Sequence, residues 1–107
     1  MDYTLLENLV DAASIPTDGI LSRTVLDTPA LKLVIFYFAQ GEELSEHTAS
    51  LPAVLQSLSG TMRLTLGGDT HQLEPGAFVH MPAHLTHAVY AETPLIMLLQ
   101  LLKASSA

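Results

Sequence analysis

The sequence predicts an all-β fold, a sandwich or barrel of about eight or nine short strands that follow one short helix. Three observations lead to this fold class. Turn signals containing Gly, Pro or Asp recur about every eight to twelve residues. The segments between them are short and rich in apolar and β-branched residues. Beyond the N-terminus no helical pattern alternates with these segments, so an alternating α/β fold is excluded.

Length and composition predict one domain that pairs with a second copy. The chain has 107 residues, of which 49% are hydrophobic and only 14% are charged. This length supports one core, which we divide into a helix and lead-in at 1–20 and a barrel at 21–107. Because so few residues are charged, we expect part of the surface to be covered by another subunit, and hence a homodimer.

Charge and cysteine content exclude several classes of partner and site. The formal net charge is −7, so neither nucleic acid nor an anionic membrane surface is an expected partner. The sequence contains no cysteine, which excludes disulfides, thiolate nucleophiles and cysteine metal sites. The N-terminus shows no signal-peptide pattern, and no apolar run reaches the ~18–20 residues that span a bilayer. A soluble cytoplasmic protein is therefore expected.

The first predicted element is a helix over Thr4–Ala13. Thr4 and Glu7 have the spacing of a capping box, and Pro16 follows where the helix should end. One face carries an apolar stripe at helical spacing, formed by Leu5, Leu6, Leu9 and Val10. A helix of two to three turns is marginal alone, so we expect the stripe to dock on the sheet.

The remaining chain is predicted as strands joined by turns. Leu31–Ala39 is continuously apolar, which predicts burial on both faces. Gln40–Ser45 is expected to be an acidic loop, and Lys103–Ala107 a frayed tail. Gly67–Asp69 closes a hairpin. The predicted strands are Ile20–Leu26, Leu31–Ala39, Ala53–Leu58, Thr61–Leu66, Thr70–Leu73, Ala77–Met81, Ala88–Tyr90 and Leu95–Leu102.

Two segments resemble the paired motifs of the cupins, which run roughly G-x5-H-x-H-x3–4-E-x6-G and G-x5-P-x-G-x2-H-x3-N. The first motif is matched by Gly41, His47 and Gly60, and the second by Gly76, Pro82 and His87. The resemblance covers Leu21–Leu102 and implies a small single-domain cupin, a jelly-roll β-barrel with a short N-terminal helix.

The first motif is degenerate, which bears on the metal that the resemblance implies. Cupins with a metal use two His and one Glu from the first motif and one His from the second. In this sequence the second His position is Ala49 and the Glu position is Ala53. The resemblance therefore implies that a divalent metal (Fe, Mn, Ni or Zn) would be held by His47 and His87. His84 or water would complete the set.

Two further donors for the missing ligand stay open, Glu46 beside His47 and Gln56 in the next strand. Strand parity argues against Gln56, because it would face away from the barrel if Ala53 faces inward. Of the other histidines, His80 is expected to be partly buried or at an interface, and His71 to be exposed.

Two functions remain open at this point. The first is a metal-dependent enzyme of the dioxygenase or isomerase type, acting on a small organic molecule in the barrel. The second is a metal-free module that binds or senses a small molecule, with His47 and His87 lining the cavity. The losses at Ala49 and Ala53 favour the second, and retention of His87 in the second motif favours the first. Fold alone does not decide between them, and no catalytic residue is assigned.

Overall fold

The computed structural model describes residues 2–103 and is built almost entirely of strands. The described elements are a 3-10 turn at Ala12–Ser14 and the strands β1 (Ile20–Asp27), β2 (Leu31–Phe38), β3 (Glu43–His47), β4 (Ala53–Ser59), β5 (Met62–Leu66), β6 (Asp69–Leu73), β7 (Phe78–Met81), β8 (His87–Ala91) and β9 (Leu95–Leu102). In this part of the chain no helix combines the length and hydropathy needed to cross a membrane. The predicted all-β fold class is confirmed.

The strands form two antiparallel sheets in jelly-roll order. The five-stranded sheet runs β1-β2-β9-β4-β7 and the four-stranded sheet runs β3-β8-β5-β6. The inward side chains of both sheets make the main core, because alternate residues of each strand point to the same face. Its fully buried large members are Phe38, Leu55, Met62, Leu64, Met81, Val89, Leu95 and Met97.

The outer face of the five-stranded sheet carries a second apolar cluster. Its buried members are Ile35, Tyr37, Ile96 and Leu98, which alternate with the inward residues of β2 and β9. Leu9 and Ile15 from the N-terminal segment pack against this cluster. Both faces of β2 are therefore covered, as its continuous apolar sequence predicted.

The helix predicted over Thr4–Ala13 does not form. Residues 2–11 contain no helix, and only the short turn at Ala12–Ser14 is helical. Leu5 of the expected stripe is 67% exposed, so the stripe does not dock as a unit. A helix this short is not stable without packing. Side chains also compete for the backbone, since the Asn8 amide oxygen accepts from the Val10 N–H and the Asp11 carboxylate from the Ala13 N–H.

Two smaller predictions were also wrong. The acidic loop expected at Gln40–Ser45 is a turn only over its first three residues, and from Glu43 onward the chain forms strand β3, because pairing with β8 outweighs the polar sequence of an exposed edge strand. Lys103 is not frayed: its N–H donates to the Ala30 carbonyl oxygen, and its ammonium group to the Asp27 carboxylate and the Thr28 carbonyl oxygen. The rest of the predicted tail, 104–107, lies outside the described residues.

Candidate functional site

The fold brings His47 and His87 together although they lie far apart in the sequence. They are direct partners in the ladder between β3 and β8. Their ring centroids are 4.2 Å apart, and the ring planes are inclined by 57°. Both predicted residues therefore belong to one site between the two sheets.

A β-bulge is the local feature that turns His47 toward the interior. In the ladder, Leu44 lies opposite Val89 and His47 lies opposite His87. Between these two pairs β3 advances by three residues while β8 advances by only two. In a regular strand, residues three apart point to opposite faces. The extra residue in β3 restores the same face, so Leu44 and His47 both line the pocket.

Each imidazole is anchored by a backbone carbonyl oxygen two residues earlier in the chain. His47 Nδ1 lies 2.7 Å from the Ser45 carbonyl oxygen, and His87 Nδ1 lies 2.9 Å from the Leu85 carbonyl oxygen. Since a carbonyl oxygen can only accept a hydrogen bond, both Nδ1 atoms carry the proton. In its neutral form, each ring then keeps the lone pair of its other nitrogen, Nε2, for a further partner.

The two rings form the polar end of an otherwise apolar pocket. The pocket encloses about 240 Å³ of empty space, part of it open to solvent. His87 is only 6% exposed, whereas His47 lies at the solvent-exposed side. The other lining residues are Phe36, Leu44, Leu55, Val89, Met97 and Leu99.

The structure places the other candidate donors away from this pocket. His84 is exposed with a left-handed φ of 68°, and its N–H donates to the Ala49 carbonyl oxygen. Glu46 lies in the exposed bulge. The Gln56 amide oxygen accepts from Gln100 at 2.7 Å, while its neighbour Leu55 lines the pocket, which confirms the parity argument.

The residues described do not complete the donor set of an iron or zinc enzyme. Within 2–103, no group of three or more His, Asp or Glu side chains comes close enough to hold one ion. Metal sites of this kind typically have three or more protein donors, and His47 and His87 supply two. Ala53, at the family's carboxylate position, is 1% exposed and packs in the main core. His47 and His87 alone therefore do not support a chemical step at a bound metal.

The remaining histidines are surface residues. His71 is exposed on β6, as predicted. His80 is exposed on β7, so partial burial, one of the two expectations for it, is wrong within a single chain, while the interface position stays a prediction.

Sequence reasoning missed the apolar walls of the pocket. Phe36, Met97 and Leu99 belong to continuously apolar strands, where the sequence pattern does not show which face turns inward. The inward residues could have been identified from the alternation of side chains between the two faces of a strand. Met97 and Leu99 share a face with one residue between them, and each pairs with an inward residue of β4, namely Ser57 and Leu55.

Comparison with known proteins agrees with this architecture. The model of the cupin domain family matches residues 34–100. A conserved protein of unknown function from Streptococcus pyogenes is 28% identical, with 99% of this chain and 98% of that one covered and a TM-score of 0.81. A search of curated proteins finds no match.

Two further solved structures are similar to this chain. KdgF from Halomonas sp. is 26% identical over 81% of this chain and 82% of that one, with a TM-score of 0.73. A cupin 2 conserved barrel domain protein from Leptotrichia buccalis is 34% identical over 79% of this chain and 41% of that one, also with a TM-score of 0.73. With the family model matching well over half of the residues, the chain belongs to the cupin family.

Proposed function

We propose that this cupin binds a small, largely apolar organic molecule in the pocket between its sheets, with His47 and His87 as the polar contacts. The observation that supports this function is the pair of anchored imidazoles beside an apolar cavity. Apolar walls with a few fixed polar groups are typical of small-molecule sites. The same arrangement allows proton-transfer catalysis of the isomerase type, because a neutral imidazole at a pocket can act as a general base.

The size of the pocket limits the ligand. Its empty volume of about 240 Å³ includes some open solvent. The space that the lining side chains themselves enclose is therefore smaller than this figure. We propose a ligand no larger than a single aromatic ring or a short branched chain.

The binding function is tested by titrating the 15N-labelled protein with toluene and anisole. We expect shift changes in the backbone amides of Leu44, Val89 and Leu99, which line the pocket, and little change at Leu98 on the outer face. Leu44→Phe should weaken binding because it fills the pocket, whereas the matched control Leu21→Phe, on an exposed residue, should not. Changes confined to the outer face, or none at all, would exclude this function.

A divalent metal on His47 and His87, with water as the further ligand, is the second candidate and stays a prediction. What favours it is that metal-binding histidines commonly donate their second ring N–H to a carbonyl oxygen, as both rings do here. The test is metal content by mass spectrometry of protein purified without chelator. About one equivalent of metal in wild type and in the control His71→Ala, lost in His47→Ala, would support it; none in any of the three would reject it.

We also propose that two copies form a homodimer. The low charged fraction supports this, as do the apolar side chains at both edges of the five-stranded sheet, Leu21 on β1 and Phe78 on β7. Phe78 is 62% exposed on an edge strand, where a partner could cover it. Sedimentation that shows a monomer at micromolar concentration would refute the proposal.

A further inference from the structure

We propose that the ligand of this pocket is a neutral molecule that donates an O–H or N–H hydrogen bond to the two imidazoles, as a phenol or an alcohol does. This inference rests on the binding function proposed above and narrows it to a chemical class. It follows from the hydrogen-bonding capacity of the pocket, its lack of fixed positive charge and its apolar walls.

The first step concerns the direction of the hydrogen bonds. Within residues 2–103 both rings make their hydrogen bonds through Nδ1 alone, to the carbonyl oxygens of Ser45 and Leu85. Nε2 is therefore the nitrogen left for a ligand, and in a neutral ring it is an acceptor only. Two acceptors at one end of a pocket require a donor from the ligand.

The second step concerns charge. The chain has four basic residues, and none of them is among the residues that line the pocket. Arg63 pairs with Glu92, and Lys103 with Asp27. Arg23 lies over the ring of Tyr37, which belongs to the outer cluster.

The fourth basic residue, Lys32, is the one on the inward side of β2. In the ladder of β1 and β2 it lies opposite Asp27. It comes four residues before Phe36, the lining residue of the same strand, which is roughly 13 Å along the strand. One exposed carboxylate, that of Glu46, lies instead next to His47 on β3. A ligand anion would therefore meet no cationic partner in the pocket and an acidic group in the strand that forms its edge.

The third step concerns the walls. All six other lining side chains are apolar, and the backbone beside the two histidines is already paired in the ladders of β8. An ether, ketone or carboxylate oxygen placed here would lose its water without gaining a donor, which is unfavourable. A hydroxyl group avoids this loss by donating to Nε2.

The test compares three probes of similar size, phenol, anisole and benzoate, by titration of the 15N-labelled protein. The solution is kept at pH 8, where histidine side chains are ordinarily neutral, and contains EDTA to remove any metal. We expect phenol to bind about three- to tenfold more tightly than anisole, the range that corresponds to one hydrogen bond. Benzoate should bind most weakly. Phenol should also move the histidine Nε2 resonances far more than the Nδ1 resonances.

Three variants complete the test. His47→Ala, on an exposed side chain that can be lost without disturbing the core, should reduce the preference for phenol over anisole. His87→Gln should do the same, while the surface control His71→Ala should keep the preference of the wild type. If phenol and anisole bind equally, or benzoate binds best, the ligand class is wrong although the pocket still binds small molecules. If no probe binds, the proposed function fails together with this inference.

Discussion

Substitution of Gly60 by Ala should destabilise the fold strongly, for two reasons that can be separated. Gly60 lies in the turn between β4 and β5 with φ +86°. A side chain in this left-handed region costs roughly 1–2 kcal/mol. In addition, a Cβ atom would lie 2.8 Å from Thr93 Oγ1 and closer still to the Pro94 carbonyl oxygen, in the turn between β8 and β9. Because a backbone oxygen cannot move without its strand, we expect a total loss of about 3–4 kcal/mol.

Gly41 and Gly68 provide matched controls for these two terms. Gly41 has nearly the same dihedral angle, φ +85°, but a Cβ atom there would meet nothing within 4 Å. Gly41→Ala should therefore lose only about 1–2 kcal/mol. Gly68 has neither a left-handed φ nor a close neighbour, so Gly68→Ala should be nearly neutral.

Urea unfolding gives the free energy of unfolding of all three variants from their midpoints and slopes. The order of loss should be Gly60, then Gly41, then Gly68. If Gly60→Ala and Gly41→Ala lose the same free energy, the close approach of the two turns contributes nothing and the reasoning is refuted.

Three further predictions concern the pocket, the acid range and the N-terminal segment. Met97 is 2% exposed and both fills the core and lines the pocket. In urea unfolding, Met97→Ala should lower the free energy of unfolding by about 2–5 kcal/mol, and it should tighten the binding of probes larger than toluene because it enlarges the pocket. Unchanged stability and binding would contradict this. The hydrogen bond from Lys103 holds the pKa of the Asp27 carboxyl below its ordinary value of 3.8. The ionised carboxylate therefore stabilises the fold above pH 3.8, and this stabilisation is lost as the pH falls through the lower pKa of the folded state. Lys103→Met should raise the pKa of Asp27 in a 13C NMR titration, and an unchanged pKa would show that the contact is absent. Leu5→Ala should change the free energy of unfolding by less than about 0.5 kcal/mol, since Leu5 is 67% exposed. Ile15→Ala should lower it by about 1–2 kcal/mol, because Ile15 packs against the outer cluster. Equal losses would contradict this packing.

The fold was predictable because the residues that determine its turns lie close together in the sequence. The turns at Gly67–Asp69 and Glu74–Gly76 have residue types that demand particular backbone angles, and the structure has turns at both. Continuous apolar sequence marked β2 as buried on both faces. These signals depend on a few neighbouring residues, so they could be recognised without knowing the rest of the fold.

The errors arose where tertiary contacts decide. The N-terminal segment has helical spacing, but Leu9 and Ile15 pack against the outer cluster without a helix between residues 2 and 11. Strand β3 has the composition of a loop and is held by pairing with β8. Neither outcome is visible in local propensity, which tertiary context overrides.

The site could be predicted only in part. Motif spacing identified His47 and His87, and the ladder places them side by side. The sequence shows no sign of the bulge that aims His47 inward, since a register shift depends on how β3 meets β8. His84, chosen for its position three residues before His87, is exposed because its left-handed backbone belongs to a turn outside the pocket.

The carbonyl anchors of the two imidazoles have a consequence for how this site can change over evolution. Each ring is hydrogen-bonded to a backbone carbonyl oxygen two residues earlier, which lies in β3 for His47 and just before β8 for His87, and not to the side chains of the pocket wall. Substitutions at Leu44 or Leu99 can therefore reshape the cavity while the polar end keeps its geometry. New ligand preferences can arise by single steps in the wall, because no step has to rebuild the histidine pair.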